Sequence, residues 1–238
     1  MHRFFSPPET IADGRITLGT DESRHLRSVL RLRAGDMVRV FDGVGREFEA
    51  EIGDIGKNFA SLRIISEVRP QAGESPVALT LAAVMLKGEK FDLVVQKAVE
   101  LGVSRLAPLT SARSDVRPLD AGKRIERWRR IALEAAKQCG RASIMTVEEM
   151  SRFDAFIGSN DGDAILFSER GGGRLDLGKP SATLTAIVGP EGGWDDAEIE
   201  LARSAGCRVV TLGGRILRAE TAAIAAAVII QHRIGDIN

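Results

Sequence analysis

From residue 77 to residue 238 the sequence alternates between short apolar runs and amphipathic stretches with helical spacing. Val77–Leu86 (VALTLAAVML) is almost continuously apolar, which is typical of a strand buried on both faces. Lys90–Leu101 then places its apolar residues on one helical face and stops before Gly102, a residue type that commonly ends helices. Strands that alternate with helices in this way predict an α/β domain built on a parallel sheet.

The same alternation continues along the chain. Further strands are predicted at Val103–Leu109, Ala164–Ser168, Leu184–Val188 and Arg208–Leu212, and further helices at Gly122–Cys139 and Glu220–Arg233. Asp195 is a predicted helix N-cap, because Glu198 stands at the reciprocal position of a capping box. The glycines of Gly171–Gly173 predict a flexible surface loop.

The first seventy residues follow a different pattern, in which short alternating strands are separated by turn residues. These strands are predicted at Asp36–Phe41, Glu47–Ile52 and Phe59–Ile65. Glu22–Leu32 has helical spacing and carries three arginines on one stripe. Several short strands with one basic helix predict a small β-barrel domain over residues 1–70. The polar, proline-containing segment that follows predicts a linker at 71–76 and a second domain at 77–238.

Charge is distributed unevenly along the chain, although Lys+Arg and Asp+Glu both number 33. Residues 105–141 contain 10 basic and 4 acidic side chains, whereas residues 142–200 contain 4 basic and 12 acidic ones. The neutral total therefore conceals a basic segment and an acidic one, and the average charge says little about the partners of the protein.

Several classes of protein lose support from the composition. The two cysteines, Cys139 and Cys207, do not make a disulfide framework, and the three histidines are scattered, so we expect no metal site. The N-terminal residues lack the apolar run of a signal peptide. The longest apolar stretch, Ala222–Ile230, is too short to span a membrane. We therefore expect a cytoplasmic protein without a membrane or metal partner.

Two glycine-containing loops follow predicted strands, and ligands of α/β sheets bind beyond the carboxyl ends of strands. The first is Gly189–Gly193 (GPEGG), and the second lies within Leu212–Thr221 (LGGRILRAET). Neither loop has the spacing of a P-loop or of a dinucleotide-binding fingerprint. Glycine loops beside apolar strands, without a phosphate-binding lysine, favour an adenosine-type ligand that carries no phosphate.

Six segments of the chain resemble one known family. They are GPEGGW at 189–194, LGGRILRAETA at 212–222, KGEKFDLVVQKAVELGV at 87–103, KQCGR at 137–141, RFF at 3–5 and HLRSVLRLRAGDMVRVFDG at 25–43. Together they are similar, in order, to the bacterial 16S ribosomal RNA uracil-N3 methyltransferases (small-subunit methyltransferase E) of the SPOUT superfamily. The resemblance covers essentially the whole chain.

This resemblance implies a fold, a cofactor and partners. The fold would be a PUA-like β-barrel followed by a trefoil-knotted α/β SPOUT methyltransferase domain. The cofactor would be S-adenosylmethionine (SAM), the substrate 16S rRNA in the small ribosomal subunit, and the active form a homodimer with its site at the subunit interface. The implied cofactor pocket comprises Leu166, Phe167, Gly189, Pro190, Glu191, Gly192, Gly193, Leu212, Gly213, Ile216, Leu217 and Arg218.

Candidate catalytic and RNA-binding residues come from the motifs, from the arginine stripe and from cations that follow predicted strands. The catalytic candidates are Arg218, Glu191 and Glu220. The RNA-binding candidates are Arg3, Arg24, Arg27, Arg31, Lys87, Lys90, Arg113 and Arg141. Uracil N3 is a poor nucleophile until its proton leaves, so a fixed positive charge such as that of Arg218 would stabilise the developing anion. A guanidinium stays protonated and cannot serve as the base.

Other interpretations stay open from the sequence alone. The enzyme could modify another RNA position or a ribose 2′-oxygen, or the chain could be a non-catalytic rRNA-binding assembly factor. Glu220 could simply complement a helix dipole, and the three arginines on one stripe could form a solvated helix face. Trp194 is explained either as a base-stacking residue or, more simply, as a core or lid residue.

Overall fold

The structure is a computed structural model that describes residues 1–114, 121–160, 162–178 and 182–237. It divides into two compact units. The N-terminal unit comprises Met1–Gly73 together with Ala136–Ile144, and the C-terminal unit comprises Glu74–Ala135 together with Met145–Asn238. The sequence did not predict that Ala136–Ile144 groups with the N-terminal unit. The predicted boundaries at 1–70, 71–76 and 77–238 stay a prediction.

One six-stranded sheet organises the N-terminal unit. Its strands are β1 (Arg3–Phe5), β2 (Ile11–Ala12), β3 (Arg15–Leu18), β4 (Met37–Phe41), β5 (Glu47–Ile55) and β6 (Ala60–Val68). They lie in the order β1-β4-β5-β6-β3-β2, in which only the β1–β4 pair is parallel. The strands predicted at Asp36–Phe41, Glu47–Ile52 and Phe59–Ile65 are thus confirmed as β4, β5 and β6.

The sheet of the N-terminal unit is curled around an apolar core. At the end of β1 the Ser6 hydroxyl donates to the Thr17 carbonyl of β3 at 3.1 Å, so strands from opposite sides of the sheet meet there. The core is formed by Phe4, Ile16, Leu18, Leu26, Val38, Val40, Phe48, Ala50, Ile52, Ala60 and Leu62. A short 3-10 turn, Pro8–Thr10, joins β1 to β2.

The predicted basic helix of the N-terminal unit is shorter than expected. Helix α1 (Thr20–Arg24) continues into a π-helical turn, His25–Val29, and the helical structure ends there. Arg31 has a φ of 55°, in the left-handed region that breaks a helix of L-residues. The predicted end at Leu32 was therefore too late.

Parallel strands and flanking helices form the C-terminal unit. The strands are β7 (Ala78–Val84), β8 (Arg105–Thr110), β9 (Thr146–Val147), β10 (Ser151–Arg152), β11 (Ala164–Phe167), β12 (Thr183–Val188) and β13 (Arg208–Val210). The helices are α2 (Lys90–Glu100), α3 (Ala121–Cys139), α4 (Phe153–Ser159), α5 (Asp196–Ser204) and α6 (Ala219–Ile234). The last turn of α3 belongs to the N-terminal unit. The α/β prediction is confirmed, whereas β9, β10 and α4 were missed.

The order of the parallel strands brings three strand ends together. The sheet runs β10-β8-β7-β12-β11-β13, with β9 paired to β8, and all of these pairs are parallel. Its central strands are buried on both faces, as their continuous apolar runs predict. The carboxyl ends of β12, β11 and β13 therefore lie side by side at one edge. In the described part of the chain, no helix is long and apolar enough to cross a membrane.

The glycines Gly171–Gly173, predicted as a flexible surface loop, lie in a largely exposed loop whose backbone also bonds to β13. The Gly173 amide donates to the Val209 carbonyl at 3.0 Å, and the Thr211 amide donates back to the Gly173 carbonyl at 3.1 Å. A Cβ on Gly172 would lie 2.4 Å from the carbonyl carbon of Val210. These glycines permit the close approach of two backbones, which explains their occurrence here.

A buried ion pair fixes Ala136–Ile144 within the N-terminal unit. Arg3 donates from Nε to Glu47 Oε1 at 3.1 Å, and their side chains are 7% and 0% exposed. The same guanidinium donates to the carbonyls of Ala136 at 2.9 Å, near the end of α3, and of Arg141 at 2.7 Å. Arg141 is also buried. Both arginines were predicted to bind RNA, and this burial leaves neither guanidinium available to a phosphate.

We expect Arg3→Ala to lower the free energy of unfolding by about 3 kcal/mol, because the buried Glu47 carboxylate loses its hydrogen-bonded cation and keeps only the Arg39 guanidinium, 3.9 Å away. The matched control is Arg63→Ala, on the same sheet, whose ion pair with Glu51 is largely exposed and should contribute at most about 1 kcal/mol. Urea denaturation followed by circular dichroism measures both variants. Equal losses in the two variants would contradict the prediction.

Candidate functional site

A cavity opens at the carboxyl edge of the parallel sheet, where β11, β12 and β13 end. It encloses about 530 Å³ of non-protein space, part of it open to solvent. Its walls come from the residues that follow these three strands and from the first turn of α6. The lining residues are Phe167, Ser168, Glu169, Val188, Gly189, Pro190, Gly193, Trp194, Thr211, Leu212, Arg215, Leu217, Ala219 and Ala222.

Trp194 is a buried wall of this cavity. Its indole Nε1 donates to the Phe167 carbonyl at 2.9 Å, and its ring packs on Phe153 with the centroids 4.7 Å apart. A Cβ on Gly189 would lie 2.9 Å from the indole, so the glycine makes room for the ring. The indole is fully buried. This burial supports the interpretation of Trp194 as a core residue and leaves no face for a nucleobase.

The structure brings half of the predicted cofactor residues to the cavity. Those that line it are Phe167, Gly189, Pro190, Gly193, Leu212 and Leu217. Leu166 is fully buried inside the sheet. The others belong to the same two loops without lining the cavity, namely Glu191, Gly192, Gly213, Ile216 and Arg218. Both glycine loops are thus used, but only some of their residues contribute walls.

Sequence reasoning missed eight of the lining residues. They are Ser168, Glu169, Val188, Trp194, Thr211, Arg215, Ala219 and Ala222. Most of them adjoin a motif residue, and Ser168, Glu169 and Thr211 directly follow strands. Position just beyond a buried strand would have been the signal for these three residues.

Glu191 and Lys90 form an ion pair with each other. Glu191 Oε1 accepts from Lys90 Nζ at 3.2 Å and from the Lys87 backbone amide at 3.3 Å. These bonds tie the GPEGG loop to the start of α2. A predicted catalytic carboxylate and a predicted RNA-binding lysine therefore meet, and the geometry suits a role for Glu191 in positioning the loop.

Helix α5 begins beside the same loop with the predicted capping box. The Asp195 carboxylate accepts from the Ala197 amide at 3.1 Å, and Glu198 accepts from the Asp195 amide at 3.0 Å. Arg113 Nη2 donates to Asp195 Oδ2 at 3.1 Å. The Ala197 amide, followed by the Arg113 guanidinium, lowers the pKa of Asp195. Arg113, predicted to bind RNA, therefore already has one carboxylate partner.

Arg218 and Glu220 stand at the start of α6 with unused polar groups. Arg218 is the helix N-cap residue, its side chain makes no capping hydrogen bond, and it is exposed. It forms no hydrogen bond or ion pair with a described residue. Glu220 Oε2 is buried and has no hydrogen-bond partner among the described residues. The first turn of α6 thus presents an unpaired cation and an unpaired carboxylate oxygen within three residues.

The three arginines of the predicted stripe are exposed in the N-terminal unit. Arg24 lies 3.7 Å from Asp21, and Arg27 donates to the Gly56 carbonyl at 3.4 Å. Arg31 follows the π-helical turn. Their exposure is compatible both with RNA contact and with a solvated surface, so their RNA-binding role stays a prediction.

The cavity suits a small ligand that has both an apolar part and polar or charged groups. Its charged lining residues are Glu169 and Arg215, and its walls otherwise carry apolar side chains, two hydroxyl groups and glycine backbone. Within the ranges that the structure describes, no three His, Cys, Asp or Glu side chains cluster as metal ligands do. A parallel sheet with such a cavity beyond its strand ends defines an α/β ligand-binding fold of the kind that many enzymes use.

Comparisons with known proteins identify the family. A family model for an RNA methyltransferase domain matches residues 73–231, and one for an RNA methyltransferase PUA domain matches residues 18–65. Ribosomal RNA small subunit methyltransferase E of Synechocystis is 34% identical over 93% of this chain and 74% of its own length. The protein of the same name from Rickettsia conorii is 32% identical over 94% of this chain and 93% of its own length.

Solved structures agree with these sequence relatives. A Neisseria gonorrhoeae ribosomal RNA small subunit methyltransferase E bound to SAM aligns with a TM-score of 0.91 and 34% identity over 100% of both chains. A Legionella pneumophila protein in complex with SAM aligns with a TM-score of 0.90 and 31% identity over 99% of this chain and 98% of that one. The chain belongs to the ribosomal RNA small subunit methyltransferase E family of RNA methyltransferases. The resemblance drawn from its motifs is confirmed.

Proposed function

We propose that this protein transfers a methyl group from SAM to N3 of a uridine in 16S rRNA of the small ribosomal subunit. The observation that carries this proposal is the cavity at the ends of β11, β12 and β13, which lies within the matched methyltransferase domain. The names of the relatives support rRNA as the substrate class, and the SAM-bound neighbours support the cofactor.

The residues of the cavity fit SAM. Apolar walls such as Val188, Leu212 and Leu217 suit the adenine ring, and the hydroxyls of Ser168 and Thr211 suit polar groups of the ribose. The Glu169 carboxylate suits a cationic group of the cofactor. SAM, when bound, supplies an electrophilic methyl group.

The first turn of α6 supplies the charges that the reaction needs. The neutral base must lose its N3 proton before N3 becomes a good nucleophile, and the Arg218 guanidinium stabilises the negative charge that develops on the ring. We assign Glu220 as the proton acceptor, because its buried Oε2 has no partner among the described residues. Glu191 holds the GPEGG loop through Lys90 and Lys87. Because N3 lies on the Watson–Crick edge, the target uridine must be unpaired or flipped out.

A trefoil knot is part of the same proposal. Strand β13 follows β12 in the sequence but lies beyond β11 in the sheet, so the chain crosses past β11 to reach it. The chain then returns to α6, which packs on α2, β7 and β12. This double crossing supports a knotted SPOUT topology, a rare exception to unthreaded chain connections.

Transfer from radiolabelled SAM to small ribosomal subunits tests the activity. The methylated rRNA is digested to nucleosides, and we expect the label in 3-methyluridine. Label in another base or on a ribose 2′-oxygen would identify a different RNA methyltransferase. Binding of rRNA without any transfer would identify a non-catalytic assembly factor.

We propose that the protein acts as a homodimer, and Ile216 supports this. Its side chain is 87% exposed in a loop that also contributes Leu212, Arg215 and Leu217 to the cavity. An apolar side chain so exposed beside a binding site is suited to being covered by a second copy of the chain.

We expect Ile216→Asp to weaken self-association by at least about tenfold, because the dimer interface would then bury a carboxylate without a partner. Sedimentation velocity across a concentration series measures the change. Val44→Asp, at an exposed apolar residue of the N-terminal unit, is the control and should leave the dimer intact. An unchanged dimer in Ile216→Asp would exclude this loop from the interface.

A further inference from the structure

The turn between β5 and β6 exposes an aromatic ring. The sequence predicted a strand that begins at Phe59, but β6 begins at Ala60 and leaves Phe59 in the turn. The Gly56 amide donates to the Phe59 carbonyl at 2.8 Å and closes this turn. Phe59 is 47% exposed, which is unusual for a phenylalanine.

Gly56 sets the position of the Phe59 ring. A Cβ at Gly56 would lie 2.3 Å from Cε1 and 2.6 Å from Cδ1 of the ring, so the ring rests directly over the glycine backbone. Any larger residue at this position would displace the ring. The turn thus holds one part of the ring against the backbone and presents the rest to solvent.

Two cations belong to or contact this turn. Arg27 Nη1 donates to the Gly56 carbonyl at 3.4 Å, which brings the guanidinium to the turn, and its other donors bond to no described residue. Lys57 lies in the turn itself, is exposed, and has no ion pair or hydrogen bond with a described residue. Asp54 is the one acidic residue of the hairpin tip 53–60. Arg27 and Lys57 therefore bring two positive charges to the turn that exposes the ring.

We propose that Phe59, Arg27 and Lys57, here called the Phe59 patch, bind one unpaired nucleotide of single-stranded RNA. The base stacks on Phe59, while Arg27 and Lys57 contact the adjoining phosphates. An exposed aromatic ring on a turn that carries two cations matches the way proteins hold unpaired nucleotides, and it is too small an apolar surface for a stable protein contact. This inference rests on the proposed function and extends it to a substrate contact away from the SAM cavity.

Two RNA oligomers, one with bases and one without, test the patch. Fluorescence anisotropy measures binding of the full chain to a fluorescein-labelled adenosine decamer and to an abasic ribose-phosphate decamer, without SAM. Phe59→Ala and the milder Phe59→Leu should weaken adenosine decamer binding on the order of tenfold and leave the abasic decamer unaffected. Arg27→Ala should weaken both strands and flatten the salt dependence. Equal losses on both strands in the Phe59 variants would overturn stacking.

A tryptophan at the same position gives a direct signal. The native residues Trp128 and Trp194 are buried, so Phe59→Trp introduces an exposed indole whose fluorescence should be quenched by the adenosine decamer and not by the abasic one. Val44→Trp, at another exposed position of the same unit, is the matched control and should not be quenched. Equal quenching in the two variants would overturn the proposal, as would failure of the wild-type chain to bind the adenosine decamer. Methyl transfer to small subunits is scored separately, so either hypothesis can fail alone.

Discussion

Replacing Gly189 with alanine is expected to weaken SAM binding by about ten- to a hundredfold, measured by isothermal titration calorimetry. The added methyl group would lie 2.9 Å from the Trp194 indole. That ring is fully buried and is fixed by its bond to the Phe167 carbonyl and by its packing on Phe153. The ring can move only by disturbing Phe167, which lines the cavity together with Gly189 and Trp194.

A matched variant separates this effect from a general loss of stability. Gly158 lies in α4, and a Cβ there would have no atom within 4 Å, so Gly158→Ala should bind SAM as the wild type does. The Gly189 variant should unfold at a lower urea concentration by an amount equivalent to about 1–3 kcal/mol, yet remain folded at 25 °C. Wild-type SAM affinity in a folded Gly189→Ala variant would show that this wall does not touch the cofactor.

The order of strands and helices was largely predictable because hydrophobic periodicity reports burial directly. Strands β7, β11 and β12 are almost continuously apolar in sequence because both of their faces are buried. The capping box at Asp195 involves residues only three positions apart, so the sequence pattern alone predicted it correctly. Short elements carried too little periodicity, so β9, β10 and α4 were missed.

Contacts between residues far apart in the sequence could not be predicted. Arg3 looks like a surface cation near the start of the chain, but Glu47 and the end of α3 bury it. Gly172 looks like a loop residue, but the backbone of β13 passes directly against it. Both contacts join residues more than 35 positions apart, which no local pattern encodes.

The candidate site was only partly predictable for the same reason. The motifs located both glycine loops, but backbone direction decides which residues of a loop face the cavity, so Leu212 lines it and Gly213 does not. The Glu191–Lys90 ion pair joins residues that had been given separate roles. It formed no part of the prediction because the meeting of the GPEGG loop with α2 depends on the strand order of the sheet.

Arg218→Ala is expected to slow methyl transfer on the order of 10²–10³-fold, as removal of one preorganised donor to a developing anion typically does. The fold should survive, because Arg218 caps α6 without a side-chain hydrogen bond and has no partner among the described residues. The charge acts mainly in the transition state, so SAM affinity should stay within a few-fold of the wild type. Arg218→Lys should restore part of the rate, since lysine keeps the charge but lacks the planar fork.

Single-turnover methylation of saturating small subunits measures these rates. Arg208→Ala is the control. Arg208 is a partly exposed arginine at the amino end of β13, at the end of the sheet away from the cavity, and its loss should leave the rate unchanged. Glu220→Gln tests the role of the Glu220 carboxylate separately from that of the Arg218 guanidinium. If Glu220 accepts the N3 proton, this variant should also be slow at neutral pH, and a higher pH should recover part of its rate as hydroxide replaces the missing base. A near-wild-type rate in Arg218→Ala would show that Arg218 does not stabilise the anion. The role would then pass to another donor, for which Arg215 on the cavity wall is the nearest cation in the sequence.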